Sequence, residues 1–360
     1  MVDGRLAHVA GLVDRIVRAE GLAGAGLAVL VGGKVALEHY AGDAGPGNAA
    51  GPETLWPVAS ISKLYMATMI MRLIEQGELT LITRVGSVLP RFDGGGKEQI
   101  TLRQLLTHTS GLPYESPQMA RLLAAQTPLE AIVDEVYELP LDYPPGTDQR
   151  YSDLGYAVAG RMAAVAMQDD FSSLVRELVL EPAGLMGTFL PATADVSTRI
   201  AYVSGALGEG TDGAMYTSAY GRGLAHPAFG AVATLPDLLA FGALFTPHVA
   251  RPLLSGAGLA TMTTDQTCGD QPGERVIPPA GVIHPWGIGF MLKGRAAIME
   301  LVSPASFGHG GASGCILWVD PVQDAVIAFV SNLHVRADPD GFVPRLTRVV
   351  NATLAALTRA

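Results

Sequence analysis

The feature that most constrains this chain is the stretch Trp56-Pro57-Val58-Ala59-Ser60-Ile61-Ser62-Lys63, which opens a long apolar run. The spacing predicts a helix over residues 61–75, ended at Gly77-Glu78-Leu79. Positions i and i+3 share a helix face, so Ser60 and Lys63 would point the same way, with the hydroxyl at the helix N-terminus. A serine hydroxyl becomes a strong nucleophile only when a neighbouring base takes its proton. A lysine can be that base when burial and other cations lower its pKa. Backbone N–H groups at a helix start stabilise charge developing on a substrate oxygen. Alone, Ser-x-x-Lys also describes a surface lysine near an N-cap serine. Against that reading, Leu64, Tyr65, Met66, Ala67, Met69, Ile70 and Met71 make the helix apolar nearly all round, and such a helix is buried. The chain has only four lysines, Lys34, Lys63, Lys97 and Lys293, and placing one in a buried helix is costly unless it is paired or functional.

At 360 residues, 49% hydrophobic and 16% charged, the chain can bury a large core as one composite domain or two. A net charge of −10 disfavours nucleic acid or an anionic membrane as partner. The two cysteines, Cys268 and Cys315, make no disulfide framework, and no Cys/His spacing resembles a metal site, so both read as inert thiols. The first residues lack a basic segment followed by an apolar one, and no apolar run is long enough to span a bilayer. The expectation is a soluble cytoplasmic protein.

In chain order, a helix over residues 5–20 precedes two apolar runs, 27–31 and 34–40, joined by Gly32-Gly33, a hairpin signal. Gly24-Ala25-Gly26 precedes a strand rather than opening a helix and is no dinucleotide fingerprint. A short amphipathic helix over 100–106 leads into the turn Thr107-His108-Thr109-Ser110-Gly111-Leu112. Residues 113–145 read as a proline-interrupted helical cap, and 154–167 and 171–180 as helices. Residues 205–223 are glycine-rich and suit a mobile loop near the site. Apolar runs at 286–292, 314–319 and 325–330 read as strands, followed by a helix over 342–357. The expected class is α/β (α+β), an antiparallel sheet flanked by helices with a mainly helical domain inserted. The expected division is 1–80 with 231–360 as the α/β domain and 81–230 as the helical one, with the active site in the cleft between them.

Two further motifs carry chemistry. Tyr151-Ser152-Asp153 follows the turn Pro144-Pro145-Gly146 and precedes a helix. A tyrosine near an ammonium can act as general acid or base, although Ser152 or Asp153 as N-cap would also account for the triplet. Phe307-Gly308-His309-Gly310-Gly311-Ala312-Ser313-Gly314 precedes a predicted strand. Its glycines allow close backbone approach to a ligand, while a bulged strand entry is the structural alternative. A lipase-type oxyanion loop also carries His-Gly-Gly, but the Gly-x-Ser-x-Gly elbow that goes with it is missing from this chain.

Together, Ser60-x-x-Lys63, Tyr151-Ser152-Asp153 and His309-Gly310-Gly311 resemble, in order and spacing, the three motifs of the serine β-lactamase and penicillin-recognising superfamily. The branch is the class C β-lactamase-like one, which also holds D-aminopeptide hydrolases and family VIII carboxylesterases. Residues 105–112, 145–156 and 181–186 match in kind and order, and the resemblance runs from about residue 20 to the C-terminal helix. It implies that Ser60 attacks the carbonyl and that Lys63 and Tyr151 form the proton-transfer pair. It also implies an oxyanion hole from the backbone N–H groups of Ser60 and Ala312. Asp153, His309, Gly310 and Gly311 would contact substrate, with His309 holding a carboxylate or polar group or assisting Tyr151. Trp286 is placed in the pocket wall by its position alone.

Two departures from the family pattern direct the substrate expectation. Asp153 stands where β-lactamases carry asparagine; a carboxylate there would raise the Lys63 pKa and shift the base role to Tyr151. His309 stands where class C β-lactamases carry lysine. The expected activity is therefore a carboxylesterase on small to medium esters, working through an acyl-enzyme without metal or organic cofactor. A β-lactamase, D-amino-acid peptidase or amidase, or acyltransferase of the same fold is the alternative, and an inactive ligand-binding relative is the one from another class. The partner expected is a small-molecule ester or amide; the sequence is silent on oligomeric state.

Overall fold

The computed structural model describes residues 4–204, 216, 218–249, 251–267, 285–293 and 299–358. Cys268 and most of the glycine-rich stretch, residues 205–215 and 217, lie outside the described residues. The strands are β1 (Gly24–Val31), β2 (Lys34–Gly45), β3 (Asn48–Ala49), β4 (Trp56–Pro57), β5 (Thr188–Phe189), β6 (Val232–Ala233), β7 (Met291–Leu292), β8 (Phe307–Gly311), β9 (Cys315–Asp320) and β10 (Ala325–Ser331). Among them is a seven-stranded antiparallel sheet of order β3-β2-β1-β10-β9-β8-β7, and a small sheet of order β4-β6-β5. The N-terminal hairpin thus pairs with the C-terminal strands, Ala28 opposite Ala328 at the centre of the β1–β10 ladder.

The central strands are apolar on both faces because both faces are covered. On β10, Val326, Ala328 and Val330 join the core that holds α2, whereas Ala325, Ile327 and Phe329 join the core against the terminal helices. This is the period-two alternation of a strand. Five helices carry the rest of the argument: α1 (Ala7–Ala19), α2 (Ser62–Glu75), α3 (Leu102–Leu106), α4 (Asp153–Met167) and α5 (Leu235–Ala243). A sixth, α6 (Pro339–Thr358), packs with α1 on the outer face of the sheet. Buried Arg345 of α6 pairs with Glu20 at the end of α1, at 3.1 Å, and with Asp338.

The described residues between β4 and β6 are mostly helix and loop, with short helices at Met119–Ala124, Leu129–Asp134 and Glu135–Tyr137 where a cap is expected. The run 171–180 is an α-turn, Phe171–Val175, continued by a π-helical turn, Arg176–Leu180. We propose the discontinuous division at residues 80/81 and 230/231 on this layout.

Three expectations change. Gly24-Ala25-Gly26 lies within β1 rather than before it. Residues 286–292 do not form one strand: β7 is Met291–Leu292, and Trp286 reaches the sheet by a single bridge to Met291. The cause is local. A Cβ on Gly287 would lie 1.9 Å from the Met262 carbonyl oxygen, and Gly289 sits at φ +88°, so the chain folds back through a tight turn closed by Gly287 N–H donating to Phe290 O. Residues 307–311 are not a loop before a strand but strand β8 itself, paired with β7 and β9.

Candidate active site

Ser60 lies in a single 3-10 turn, Ala59–Ile61, between β4 and α2. The residue before it, Ala59, has φ +47°, a left-handed conformation that a non-glycine residue adopts at a cost of about 1–2 kcal/mol. The turn is held from several sides. Ser62 Oγ donates to Ala59 O at 2.6 Å and accepts from Ala231 N at 2.9 Å, and Trp56 pairs with Ala233 in the small sheet. Buried Ser313 donates to Pro57 O, tying the turn after His309-Gly310-Gly311 to the entry of the serine turn.

Lys63 is one turn on and wholly buried. Its Nζ lies 2.5 Å from Asp153 Oδ1, 3.3 Å from Ser60 Oγ and 3.0 Å from the Ala228 carbonyl, to which it donates. It also sits 4.6 Å from the centroid of the Tyr151 ring. Burial lowers the Lys63 pKa below the usual lysine range, and Asp153 opposes that shift without cancelling it. The Tyr151 hydroxyl is buried, faces Ser60 and makes no well-formed hydrogen bond; burial first, then Asp153, pushes its pKa well above the ordinary value. Both directions run against the expectation that Asp153 would shift the base role from Lys63 to Tyr151. Desolvation penalises a tyrosinate and an ammonium alike, and it outweighs the single carboxylate at Lys63.

The Tyr151 triplet is positioned by a residue the motif reading passed over. His108, in the turn after α3, accepts the Ser152 N–H on Nδ1 at 3.0 Å and stacks on Tyr151 with ring centroids 4.3 Å apart. Burial keeps His108 neutral, its pKa well below the ordinary value. Its own φ is +61°. Ser152 caps α4 through Gly155 N–H, which sets Asp153 in the first turn, directed at Lys63. The sequence signal was present in the quoted turn 107–112, but only the fold shows that this turn meets Tyr151. The Ala228 carbonyl could not have been found, because a backbone acceptor has no side-chain signature.

Gly311 brings the other wall in. A Cβ there would fall 2.3 Å from Val58 O, so only glycine lets β8 approach the serine turn this closely and set Ala312 beside Ser60. His309 is buried; its Nδ1–H donates to Gly310 O at 2.6 Å, leaving Nε2 without a partner. Burial and the neighbouring Lys63 hold its pKa down at about 3. His309 thus presents Nε2 to the site as a neutral acceptor, which suits the expected roles of holding a polar group or assisting Tyr151 better than that of holding a carboxylate. Trp286 stands edge-on to His309, 5.6 Å between centroids, and edge-on to His108, 4.6 Å. Ser60, His108, Tyr151, Trp286, His309, Gly310 and Ala312 all border one cavity of about 480 Å³. Cys315 is a buried free thiol whose pKa burial pushes up to about 11. Among the described residues no group of three or more His, Cys, Asp or Glu is placed to hold a metal, and no helix is long and apolar enough to cross a membrane.

Residues 9–352 match the family described as Beta-lactamase, and the chain belongs to that family. The family points to an acyl-transferring serine hydrolase of the β-lactamase fold. The chain is 29% identical over 325 residues to penicillin-binding protein 4 of Amycolatopsis lactamdurans, covering 86% of this chain and 80% of that protein. It is 24% identical over 306 residues to a putative D-alanyl-D-alanine carboxypeptidase of Escherichia coli K12, covering 78% and 69%. The crystal structure of a family VIII carboxylesterase superposes with a TM-score of 0.80 over 99% of this chain and 98% of that one, at 20% identity, a likeness of fold.

Proposed function

We propose that the protein is a carboxylesterase that works through an acyl-enzyme on Ser60. The observation that carries the reading is the chemistry of the cavity beside Tyr151. Among the described residues it is bordered by no arginine or lysine, and its histidines are neutral. A carboxylate placed in this cavity would lose its hydration without meeting a cation among the described residues, Arg336 lying in a smaller cavity on the Asp153 side, whereas a neutral ester pays no such cost.

The proton inventory favours Lys63 as base. A neutral amine has two N–H groups and one lone pair, and Lys63 has three neighbours. The Asp153 carboxylate oxygen and the Ala228 carbonyl accept from Lys63, so once the amine is neutral its lone pair is left for the Ser60 hydroxyl, 3.3 Å away. Ser60 Oγ attacks the ester carbonyl as its proton passes to Lys63, and the ammonium formed lies against Asp153. The oxyanion is received by the Ser60 and Ala312 N–H groups. Tyr151, held as a phenol by its raised pKa, hands a proton to the departing alkoxide and recovers one from Lys63. Water then repeats the sequence on the acyl-enzyme and releases the acid.

A paired rate assay on p-nitrophenyl butyrate and a chromogenic cephalosporin tests the substrate reading. Fast ester cleavage with slow or absent cephalosporin cleavage is expected; the reverse order would replace it with a β-lactamase.

A further inference from the structure

Two cavities meet at Ser60, and they differ in chemistry. The larger, about 480 Å³, runs from Tyr151 and His309 past Met291 of β7 and Ile316 and Trp318 of β9 to α6. Its far end is apolar: Met291, Met299, Ile316, Trp318, Phe342 and Leu346. The smaller, about 100 Å³, lies on the Asp153 side and includes Glu115, His334 and Arg336.

The register of the sheet explains why the larger cavity exists. Gly308 stands opposite Trp318 and Met291, and Gly310 opposite Ile316, so alternate positions of β8 present no side chain to that face. At Gly308 the space is taken, since a Cβ would lie 2.4 Å from the Trp318 ring. At Gly310 it is open, the nearest atom among the described residues being the Cys315 carbonyl oxygen at 3.8 Å. The helix that closes the far wall, α6, is held in place by Arg345.

An ester has two arms, and the site distinguishes them. With the carbonyl carbon at Ser60 Oγ and its oxygen toward Ala312, the leaving oxygen must reach the group that protonates it. Tyr151 borders the larger cavity, and Asp153 the smaller. We infer, on the carboxylesterase reading above, that the substrate is an ester of a short acyl group with a medium-chain or aryl alcohol, the alcohol arm filling the apolar cavity. The size and apolar lining are those of a pocket for a small organic group. Each methylene added to the alcohol arm should raise kcat/KM about three- to fourfold until the cavity is full, the gain from burying one CH2.

The test compares methyl acetate, octyl acetate and methyl octanoate with wild type, Ser60→Ala and Leu346→Trp. Octyl acetate should exceed methyl octanoate at least about tenfold in kcat/KM, a difference of about 1.4 kcal/mol. In Leu346→Trp the octyl-to-methyl acetate ratio should fall at least as far, with Ile316→Trp as a second variant should the first not fold. Ser60-dependent hydrolysis that favours methyl octanoate, or a ratio unchanged in a folded tryptophan variant, overturns the assignment of the arms and leaves the esterase reading standing. No Ser60-dependent hydrolysis of any of the three overturns both.

Discussion

Lys63 Nζ and Asp153 Oδ1 lie 2.5 Å apart with their side chains 0% and 7% exposed, so the base proposed for catalysis shares its burial with a carboxylate. The pair explains how a lysine can be desolvated without being lost as a proton acceptor. Burial alone would leave it neutral but too weak a base, and Asp153 restores part of its basicity and balances the ammonium formed during attack.

Asp153→Asn therefore gives a signed prediction. Activity requires neutral Lys63, so kcat/KM rises with pH through the lysine pKa. Removing the carboxylate lowers that pKa further, and the acidic limb should move to lower pH by about one unit or more. A limb that stays in place, or moves up, would show that Lys63 is not the group titrating.

His108 is predicted to be a positioning residue. His108→Ala leaves the buried Ser152 N–H without an acceptor, at a cost of about 1–3 kcal/mol, and places alanine at φ +61°. Melting temperature and kcat should both fall. His108→Asn, which tolerates the left-handed backbone, should recover more of the stability than of kcat, because the stack on Tyr151 is not restored. Equal recovery of both would reduce His108 to a structural role.

The two adjacent glycines should behave differently. Gly311→Ala forces a Cβ against the Val58 carbonyl, so it should cost about 1–3 kcal/mol of stability and most of the activity. Gly310→Ala meets nothing closer than 3.8 Å among the described residues and should fold normally while narrowing the cavity. Thermal melts of the two variants side by side check this.

Acid should unfold the protein through its buried histidines. His226 and His309 have folded pKa values of about 3, below the unfolded value. Above about pH 6.5 both states are neutral and the stability is complete. Below it the unfolded chain takes up protons that the folded one refuses, so each histidine removes about 1.4 kcal/mol per pH unit down to about pH 3. Denaturant midpoints between pH 6.5 and 4 should fall less steeply in His226→Asn than in wild type.

The fold class and the family were legible because the signals were local or carried by motif order. The Gly32-Gly33 hairpin became β1 and β2, and residues 62–75 of the expected helix became α2. What escaped depended on contacts distant in sequence. The turn at Gly287 and Gly289 answers to Met262, and the strand identity of residues 307–311 to pairing with β7 and β9. The sequence brought the chemistry of Ser60, Lys63 and Tyr151 into view, but not His108 as the support of Tyr151. It also did not show that burial exceeds the pull of Asp153 on Lys63. Nor did any local signal show that Ile316 and Trp318 of β9 and Phe342, Val343 and Leu346 of α6 border the cavity.

The measurement that bears most directly on the account is intact-protein mass spectrometry within the first turnovers of p-nitrophenyl butyrate, followed by peptide mapping. A butyryl adduct on Ser60, formed with a burst of p-nitrophenol and absent from Ser60→Ala, is the predicted result. Ester turnover that persists in Ser60→Ala, or an adduct on another residue, would contradict it.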